Sequence, residues 1–373
     1  MRKLSLVLLV LLLLAMVSVV AAQDVPCGDL SEEDCAFLSD SLAASASVGS
    51  ATFTIDATLN TTNEDGDDTN IAISGDGAFS GAEGMLGGMM GGMMSDPAAA
   101  ADMSGMMSGF ESGVSAFDGA LNLTIDTGDA PLDIQLVLVD SIGYINFGAL
   151  GLAGMRMGQN AELPEWGGVN LVDLVSTVTE GMTPEQISSM AGNMAGGSAA
   201  DASLASDLDF ATVGSHIVLS RLEDSEIDGV AVAVYELSLD VAGWLNDPAT
   251  MEMMQEQMAN DPAAADMSAE DVTAMLAAAA ENISFSVTGY FGLEDNYVYG
   301  LEIAASVDAA AIAEAAPDSA NASGGGSFDL SFGIYFADQN AAPEITAPEG
   351  AVVAEADELM QMFGMMFMGA GSR

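Results

Sequence analysis

Methionine is the residue type whose number and spacing point most directly to a chemical role. The chain of 373 residues contains 26 methionines, concentrated in residues 85–107, 251–275 and 360–368. Because its side chain is unbranched and polarizable, methionine adapts to apolar shapes that vary. The clusters therefore predict a soft apolar lining for a lipophilic ligand. Two other interpretations are open. Spaced thioethers, as in 85–94 and 360–368, are ligands for Cu(I). The simplest interpretation is that methionine fills an irregular core.

The two cysteines and the single histidine offer little catalytic or metal-binding chemistry. Cys27 and Cys35 are eight residues apart and follow an apolar leader. In an exported chain this arrangement favours a local disulfide over a redox or metal-binding pair. His216 is the only histidine, so we expect neither a Ser-His-Asp triad nor a multi-histidine metal site.

The acidic residues raise two further possibilities. Glu64, Asp65, Asp67 and Asp68 form a cluster that resembles a Ca²⁺ site, but they lack the EF-hand spacing, and a solvated hairpin turn is favoured. Hydrolysis by paired carboxylates needs two positioned acids, and no pair stands out among 56 acidic residues. We therefore expect no enzyme, no metal site and no cofactor.

The charge balance excludes several partners. Fifty-six Asp and Glu stand against five Lys and Arg, a formal net charge of −51, yet half of the residues are hydrophobic. Five cations cannot neutralise a phosphate backbone, so nucleic-acid binding is excluded, and steering toward an anionic membrane is disfavoured. So many apolar residues can form a core, so charge-driven disorder is not expected.

Residues 1–22 are predicted to be a signal peptide. Arg2 and Lys3 precede an apolar run over 4–20, and small residues follow it up to Ala22. An uncleaved membrane anchor is the alternative, because the run approaches the length that spans a bilayer. After cleavage, three cations face 56 acids, a net charge of −53 without any lysine. The expected location is therefore secreted or in the extracytoplasmic cell envelope.

Alternating apolar and polar residues predict many strands. The pattern begins at residues 51–60, returns through 121–147, and recurs in 217–234, 283–303 and 328–336. Strands with one apolar face indicate an antiparallel sheet with one solvated face. Before the first strand, Ser31 and Asp34 predict the start of a helix over 31–47.

The other face of the sheet needs a cover. Met-rich insertions at 84–110, 171–194 and 244–280 interrupt the strands, and Asp-Pro or Thr-Pro pairs within them are helix starts. We therefore predict an α+β fold: a strongly curved antiparallel sheet, or half-barrel, with Met-rich amphipathic helices covering its concave face.

The order of these elements resembles a known family. After the Cys-containing helix and the first strand come "VDSIGYINFGAL" at 139–150, "DGVAVAVYELSLDVAGWL" at 228–245 and "FDLSFGIYFADQNAAPEITAPEGA" at 328–351. This succession is similar to that of LppX/LprG-type envelope lipoproteins, whose fold is like that of the LolA/LolB lipid carriers. The resemblance implies a half-barrel that carries acylated lipids. The sequence departs from the family at Cys27, which lacks a lipobox, so lipid anchoring there is not expected.

The predicted function is non-catalytic binding or transport of an acyl-chain lipid or another lipophilic molecule. The expected protein is a monomer that makes at most transient contact with membranes. A Met-rich Cu(I)-binding protein and a structural envelope protein without a ligand are the alternatives. The predicted divisions are a signal peptide at 1–22, one domain at 23–350 and a Met-rich tail at 351–373.

The ligand cavity is predicted from methionines of the insertions and from aromatic residues of the strands and their borders. These residues are Met89, Met90, Met93, Met106, Phe147, Trp166, Trp244, Met254, Met258, Phe285 and Phe332.

Overall fold

The alternating segments assemble into one large open sheet in the computed structural model. The structure describes residues 27, 30–63, 67–81, 115–128, 130–151, 156–157, 161–179, 216–248, 250–251, 269–314 and 326–355. The predicted signal peptide, the insertion at 84–110, most of the insertion at 171–194, residues 252–268 of the third insertion and almost all of the C-terminal tail lie outside the described residues.

Fifteen strands and five helices are named here in chain order. The strands are β1 Ser50–Thr62, β2 Asp68–Ser80, β3 Asp118–Asp126, β4 Leu132–Val139, β5 Ile142–Asn146, β6 Arg156–Met157, β7 Ala161–Glu162, β8 Trp166–Asn170, β9 Ile217–Arg221, β10 Ser225–Ile227, β11 Val230–Leu239, β12 Ile283–Gly292, β13 Val298–Asp308, β14 Ser327–Ala337 and β15 Val352–Ala354. The helices are α1 Glu32–Ser45, α2 Leu171–Thr179, α3 Val241–Leu245, α4 Ala269–Asn282 and α5 Ala309–Glu314.

Thirteen of these strands belong to a single sheet. Its order is β10-β11-β12-β13-β14-β1-β2-β3-β4-β5-β8-β15, with β9 also paired to β11, while β6 and β7 pair separately. All neighbours in the large sheet are antiparallel except β8 and β15, which are parallel. The predicted antiparallel sheet is therefore confirmed in its main part, and its terminal pair differs because β15 returns from the far end of the chain.

Tight turns fix the register of the hairpins. Asp140 and Ser141 join β4 to β5 with φ of 51° and 65°, and Asp228 and Gly229 join β10 to β11 with φ of 49° and 85°. Two-residue loops with positive φ at both positions match the right-handed twist of the strands they connect. The partners Val139 and Ile142 are opposite each other as a result.

Helix α1 begins where the sequence predicts. The backbone N–H of Asp34 donates to the Ser31 hydroxyl oxygen at 3.1 Å, which satisfies one of the free donors of the first turn. Three acidic residues in that turn also lie near the positive end of the helix dipole. The predicted disulfide joins Cys27 to Cys35, with Cα atoms 5.6 Å apart, and ties the preceding segment to α1.

The structure describes four further helices, of 5 to 14 residues. Among the described residues, none combines the length and the apolar character that crossing a bilayer requires. Of the predicted Met-rich helices, the described parts are α2 and α4, with α3 at the start of the third insertion.

Candidate functional site

One face of the large sheet is almost entirely apolar along its whole width. One cross-strand row passes through eight strands in register: Leu237, Val287, Ile303, Phe332, Ala57, Ile73, Ile125 and Leu132. At about 4.8 Å between neighbouring strands, this row is roughly 34 Å long. We call this side of the sheet the apolar face.

We call the opposite side the polar face. It carries hydroxyl, amide and carboxylate groups in the same register, and it also holds buried residues such as Val232 and Tyr144, which are 0% and 7% exposed. Asn122 donates to Asp76 at 2.9 Å, and the Thr124 hydroxyl donates to Asp133 at 2.8 Å. These cross-strand pairs connect β2, β3 and β4 on the solvated side. The excess of acidic residues is accommodated there because the alternation separates it from the apolar side chains.

Helix α1 covers the apolar face over β9, β11 and β12. Leu38 is 5% exposed and packs with Tyr235 and Phe291, which are 3% and 6% exposed. The Tyr235 ring stacks on Phe37 at a centroid distance of 6.2 Å and meets Phe291 edge-on at 5.7 Å. This aromatic cluster attaches α1 to the sheet.

Arg221 joins the same helix to the sheet through charge. Its guanidinium lies over the Tyr235 ring at 5.0 Å and its Nε is 3.6 Å from Asp34 of α1. It also pairs with Asp224 and donates to the Leu222 carbonyl at 2.7 Å. Burial raises the pKa of Tyr235 to about 12, with the Asp34 carboxylate acting in the same direction. Arg221 therefore links α1 to the sheet through Asp34 while its other contacts lie within the sheet and the segment that follows β9.

A second cluster covers another part of the apolar face. Val241 and Leu245 of α3 pack against Ala279 of α4, and all three are buried. Trp244 and Ile283 pack around them. This cluster and the α1 cluster together form what we call the covered end, the apolar face of β9, β11, β12 and β13.

The other end of the apolar face is less completely covered. Leu132 and Leu136 of β4 are 43% and 38% exposed, and Val352 of β15 is 55% exposed. Leu136 and Val352 belong to one cross-strand row that passes through Ile145 and Gly167. We call the apolar face from β3 to β15 the open end; within it, Phe147 and Val169 are buried.

The predicted cavity residues fall into three groups. Phe285 and Phe332 lie on the apolar face by their register, Phe332 being 8% exposed. Trp244 belongs to the α3–α4 cluster, and the Phe147 ring approaches Gly167 at the open end. The methionines at 89, 90, 93, 106, 254 and 258 lie outside the described residues.

Trp166 is placed apart from these residues. It is directly opposite Asn146 in the β5–β8 pair, whereas the neighbouring pair of Ile145 and Gly167 is on the apolar face. Because successive residues of a strand point to opposite sides, Trp166 belongs to the polar face. The structure therefore brings together Phe285 and Phe332 on one face and leaves Trp166 on the other.

One cavity of about 290 Å³ lies at the ends of β10, β13 and β14, away from the predicted residues. It is lined by Ile227, Asp228, Val230, Asp295, Tyr297, Tyr299, Phe336, Ala337, Asp338 and Gln339. Tyr299 donates to Asp295 at 2.6 Å, and burial together with this bond raises the pKa of Tyr299 to about 12. Its lining mixes aspartates and tyrosines with apolar side chains such as Ile227 and Phe336.

Two tyrosines on the polar face were not recognised in the sequence. Tyr290 and Tyr335 lie over Gly300, which has no side chain to separate them, and their ring centroids are 6.4 Å apart. Tyr335 donates to the Glu302 carboxylate. Burial and Glu302 raise the pKa of Tyr290 to about 12 and also raise the pKa of Tyr335. In the sequence, the indication of this pair is Gly300, a glycine inside a strand of larger residues, which leaves room for neighbouring rings.

The groups considered for metal binding or catalysis have structural partners. In the part of the chain that the structure describes, no three His, Cys, Asp or Glu side chains are grouped as metal ligands would be. Of the acidic cluster at 64–68, the described Asp67 belongs to the β1–β2 turn, where its N–H donates to Asn63 at 2.8 Å. His216 Nε2 lies 3.5 Å from the Asp247 carboxylate beside α3.

Comparisons with known proteins give structural similarities only. No family model and no curated protein sequence matches the chain. It is similar to LprF from Mycobacterium bovis, with 10% identity, 86% of this chain and 99% of that chain covered, and a TM-score of 0.29. It is also similar to the lipoprotein LppX from Mycobacterium tuberculosis, with 9% identity, 85% and 100% covered, and a TM-score of 0.26.

A LolA superfamily protein from Nitrosomonas europaea is a further similar structure, with 8% identity, 80% and 92% covered, and a TM-score of 0.14. The LppX-type and LolA-type proteins that the sequence resembles are therefore also found among the solved structures similar to this chain.

Proposed function

We propose that this protein is an exported, non-catalytic binding or carrier protein for an acyl-chain lipid or another lipophilic molecule. The ligand lies along the apolar face, with Phe285 and Phe332 among its contacts. The proposal retains a curved half-barrel whose concave side is the apolar face, covered in part by the Met-rich insertions. Export follows from the leader at 1–22, and the carrier acts as a monomer.

The observation that carries the proposal is the continuity of the apolar face beyond its helical cover. The row from Leu237 to Leu132 is unbroken across eight strands. Ile303 and Phe332 within it are buried, whereas Leu132 at its end is 43% exposed and Leu136 of the same strand is 38% exposed. Apolar side chains left accessible at the end of a continuous apolar face support a binding surface there. Each CH₂ of a ligand removed from water there contributes about 0.8 kcal/mol, so one alkyl chain supplies ample affinity.

The chemistry of the face favours binding over reaction. On the described strands its side chains are aliphatic or aromatic, or are missing at glycine, apart from Thr61, Thr69, Tyr235, Arg221 and, on the edge strand β10, Glu226. Arg221 and Tyr235 are already engaged with α1. A surface of this composition excludes water and holds alkyl groups without directional contacts.

The proposal is tested first on the native protein. Lipid that co-purifies after mild extraction is expected in native mass spectrometry, and a fluorescent acyl probe is expected to bind the delipidated protein. A protein that arrives without lipid and does not bind the acyl probe contradicts the proposal.

A pair of adjacent substitutions locates the binding surface. Leu136→Asn places an amide on the apolar face at the open end, whereas Val137→Asn makes the same kind of change on the polar face of the same strand. We expect Leu136→Asn to weaken acyl-probe binding by about fivefold, as loss of some 40 Å² of apolar contact implies. Val137→Asn is the control, and equal effects of the two variants argue against this surface.

A further inference from the structure

The last strand brings the chain to the border of the open end. β15 lies beside β8, with Val352 opposite Gly167 and Ala354 opposite Val169. The described part of the chain ends one residue later, at Glu355, and 18 residues follow it in the sequence. Residues 356–373 therefore begin at the edge of the sheet, next to the less covered part of the apolar face.

The exposed apolar side chains of the open end are close to that point. Leu136 is three strands away from Val352, a distance of about 14 Å at about 4.8 Å between neighbouring strands. Both are among the large exposed apolar residues, and between them the Phe147 ring lies against Gly167. An extended chain advances about 3.3 Å per residue, so about five residues beyond Ala354 are enough to reach Leu136.

The sequence that arrives at this distance is suited to an apolar surface. Of residues 359–368, which we call the tail segment, eight are Leu, Met or Phe, and the other two are Gln361 and Gly364. Methionine adapts to irregular apolar shapes, and removal of such side chains from water is favourable. The tail segment contains no charged residue, so the strongly acidic chain does not repel it.

Covalent attachment favours the tail segment over a second copy of the protein. A segment joined to its site by a short flexible linker has an effective concentration on the order of millimolar. Two whole chains instead repel each other, since each carries a formal net charge of −51. The open end therefore has an occupant of matching chemistry within the same chain.

We infer that the tail segment docks on the open end of the apolar face when no ligand is bound, with Leu136 and Val352 among its contacts. β15 fixes the point from which the segment reaches that surface. On the basis of the proposed function, the lipophilic ligand and the tail segment compete for the same apolar area, so binding displaces the segment. The docking itself does not depend on the proposed function.

The docking is tested by cysteine cross-linking in the delipidated full-length protein. Leu136→Cys is combined with Met362→Cys or Met366→Cys, and the disulfide formed by mild oxidation is identified by peptide mass spectrometry. The matched control places the first cysteine at Asp133, which is also exposed but is on the polar face of the same strand. We expect the Leu136 pairs to cross-link about tenfold more than the Asp133 pairs, because the two positions are on opposite sides of the sheet.

Two results overturn the docking. One is equal cross-linking from Asp133 and Leu136, and the other is a disulfide that joins two chains, which appears as a dimer on a non-reducing gel. Leu132→Cys, on the same face of β4 and also exposed, replaces Leu136→Cys if that variant does not fold.

Displacement is tested on the same variants with a saturating fluorescent acyl probe. We expect the probe to lower the Leu136 cross-link several-fold and to leave the Asp133 level unchanged. A probe that binds without lowering the Leu136 cross-link contradicts the competition. If the probe does not bind but the Leu136 cross-link still forms preferentially, the proposed function is wrong and the docking is supported, so the two failures are distinguishable.

Discussion

The covered end and the open end of the apolar face are built from the same alternating pattern but differ in what lies on them. At the covered end, helices and aromatic rings leave Tyr235 and Phe291 only 3% and 6% exposed. At the open end, Leu132 and Leu136 remain 43% and 38% exposed. One end thus holds the fold together, and the other leaves apolar side chains accessible where we propose that the ligand binds. On the proposed function, stability and binding are separable along one sheet.

The largest expected effect compares one side chain from each end. Phe291→Ala empties a buried position between Tyr235 and Leu38, and we expect it to lower the free energy of unfolding by about 3–5 kcal/mol. Leu136→Ala removes a side chain that is already partly in water, so the expected loss is about 1 kcal/mol. Urea denaturation of both variants measures the difference, and losses of equal size contradict the distinction between the two ends.

The disulfide offers the next largest effect. Replacing Cys27 and Cys35 by Ser releases a closed loop with a sequence separation of eight, and the chain-entropy relation gives a loss of about 2.5 kcal/mol. Because the bridge belongs to α1, we expect faster amide hydrogen exchange in α1 and unchanged exchange in β4. Reduction of the wild-type protein serves as the control, since it must reproduce the result. Exchange that becomes faster to the same extent in α1 and β4 contradicts the prediction.

Alkaline pH gives the smallest and most local effect. The folded pKa of Tyr235 is about 12, above its ordinary value of 10, so the native state keeps this proton longer than the unfolded chain does. The stability that this tyrosine contributes is present below pH 10 and is lost as the pH rises through 12. Melting temperatures measured from pH 9 to 12 are expected to fall less steeply for Tyr235→Phe than for the wild type.

The same pH series on Tyr290→Phe separates the covered end from the polar face, because Tyr290 also has a pKa of about 12 but lies on the face opposite the one that α1 covers. We expect only Tyr235→Phe to change the pH dependence of hydrogen exchange in α1. If both variants change the pH dependence of hydrogen exchange in α1 to the same extent, the assignment of the Tyr235 effect to the covered end is wrong.

Local features of this fold follow from the sequence. Ser31 and Asp34 predicted the start of α1, and the alternation at residues 51–60 predicted β1, which extends by one residue at its start and two at its end. Both signals act between residues close in the chain, through a cap and through the two-residue period of a strand. The apolar face could be predicted for the same reason.

Pairing between distant segments could not be predicted. Phe53 of β1 pairs with Phe336 of β14, and β15 adds to β8 in parallel, and no local pattern specifies either contact. A bulge between Tyr290 and Phe291 also shifts the register, so that Val298 rather than Tyr299 is opposite Phe291. The alternation of Tyr299 with Leu301 in the sequence therefore gives no sign of the change in pairing at the bulge.

The candidate site was predictable in kind but not in detail. Phe285 and Phe332 alternate in step with the other apolar residues of their strands, and this alternation places them on the apolar face. Trp166 points to the opposite face of the sheet. This assignment requires the pairing of Gly167 with Ile145, which the sequence does not give. The association of Arg221 with Asp34 depends on α1 docking against β9, so charge pattern alone gives no indication of it.

The engagement of Arg221 has a consequence for resistance to proteolysis. Proteases of the trypsin type cut after Lys or Arg, and beyond residue 22 the sequence has no Lys and has Arg at positions 156, 221 and 373 alone. At position 221 the side chain is only 23% exposed and its guanidinium is held by carboxylates, an aromatic ring and backbone carbonyls. The contact that fastens α1 to the sheet thus also withholds a scarce cleavage site from digestion.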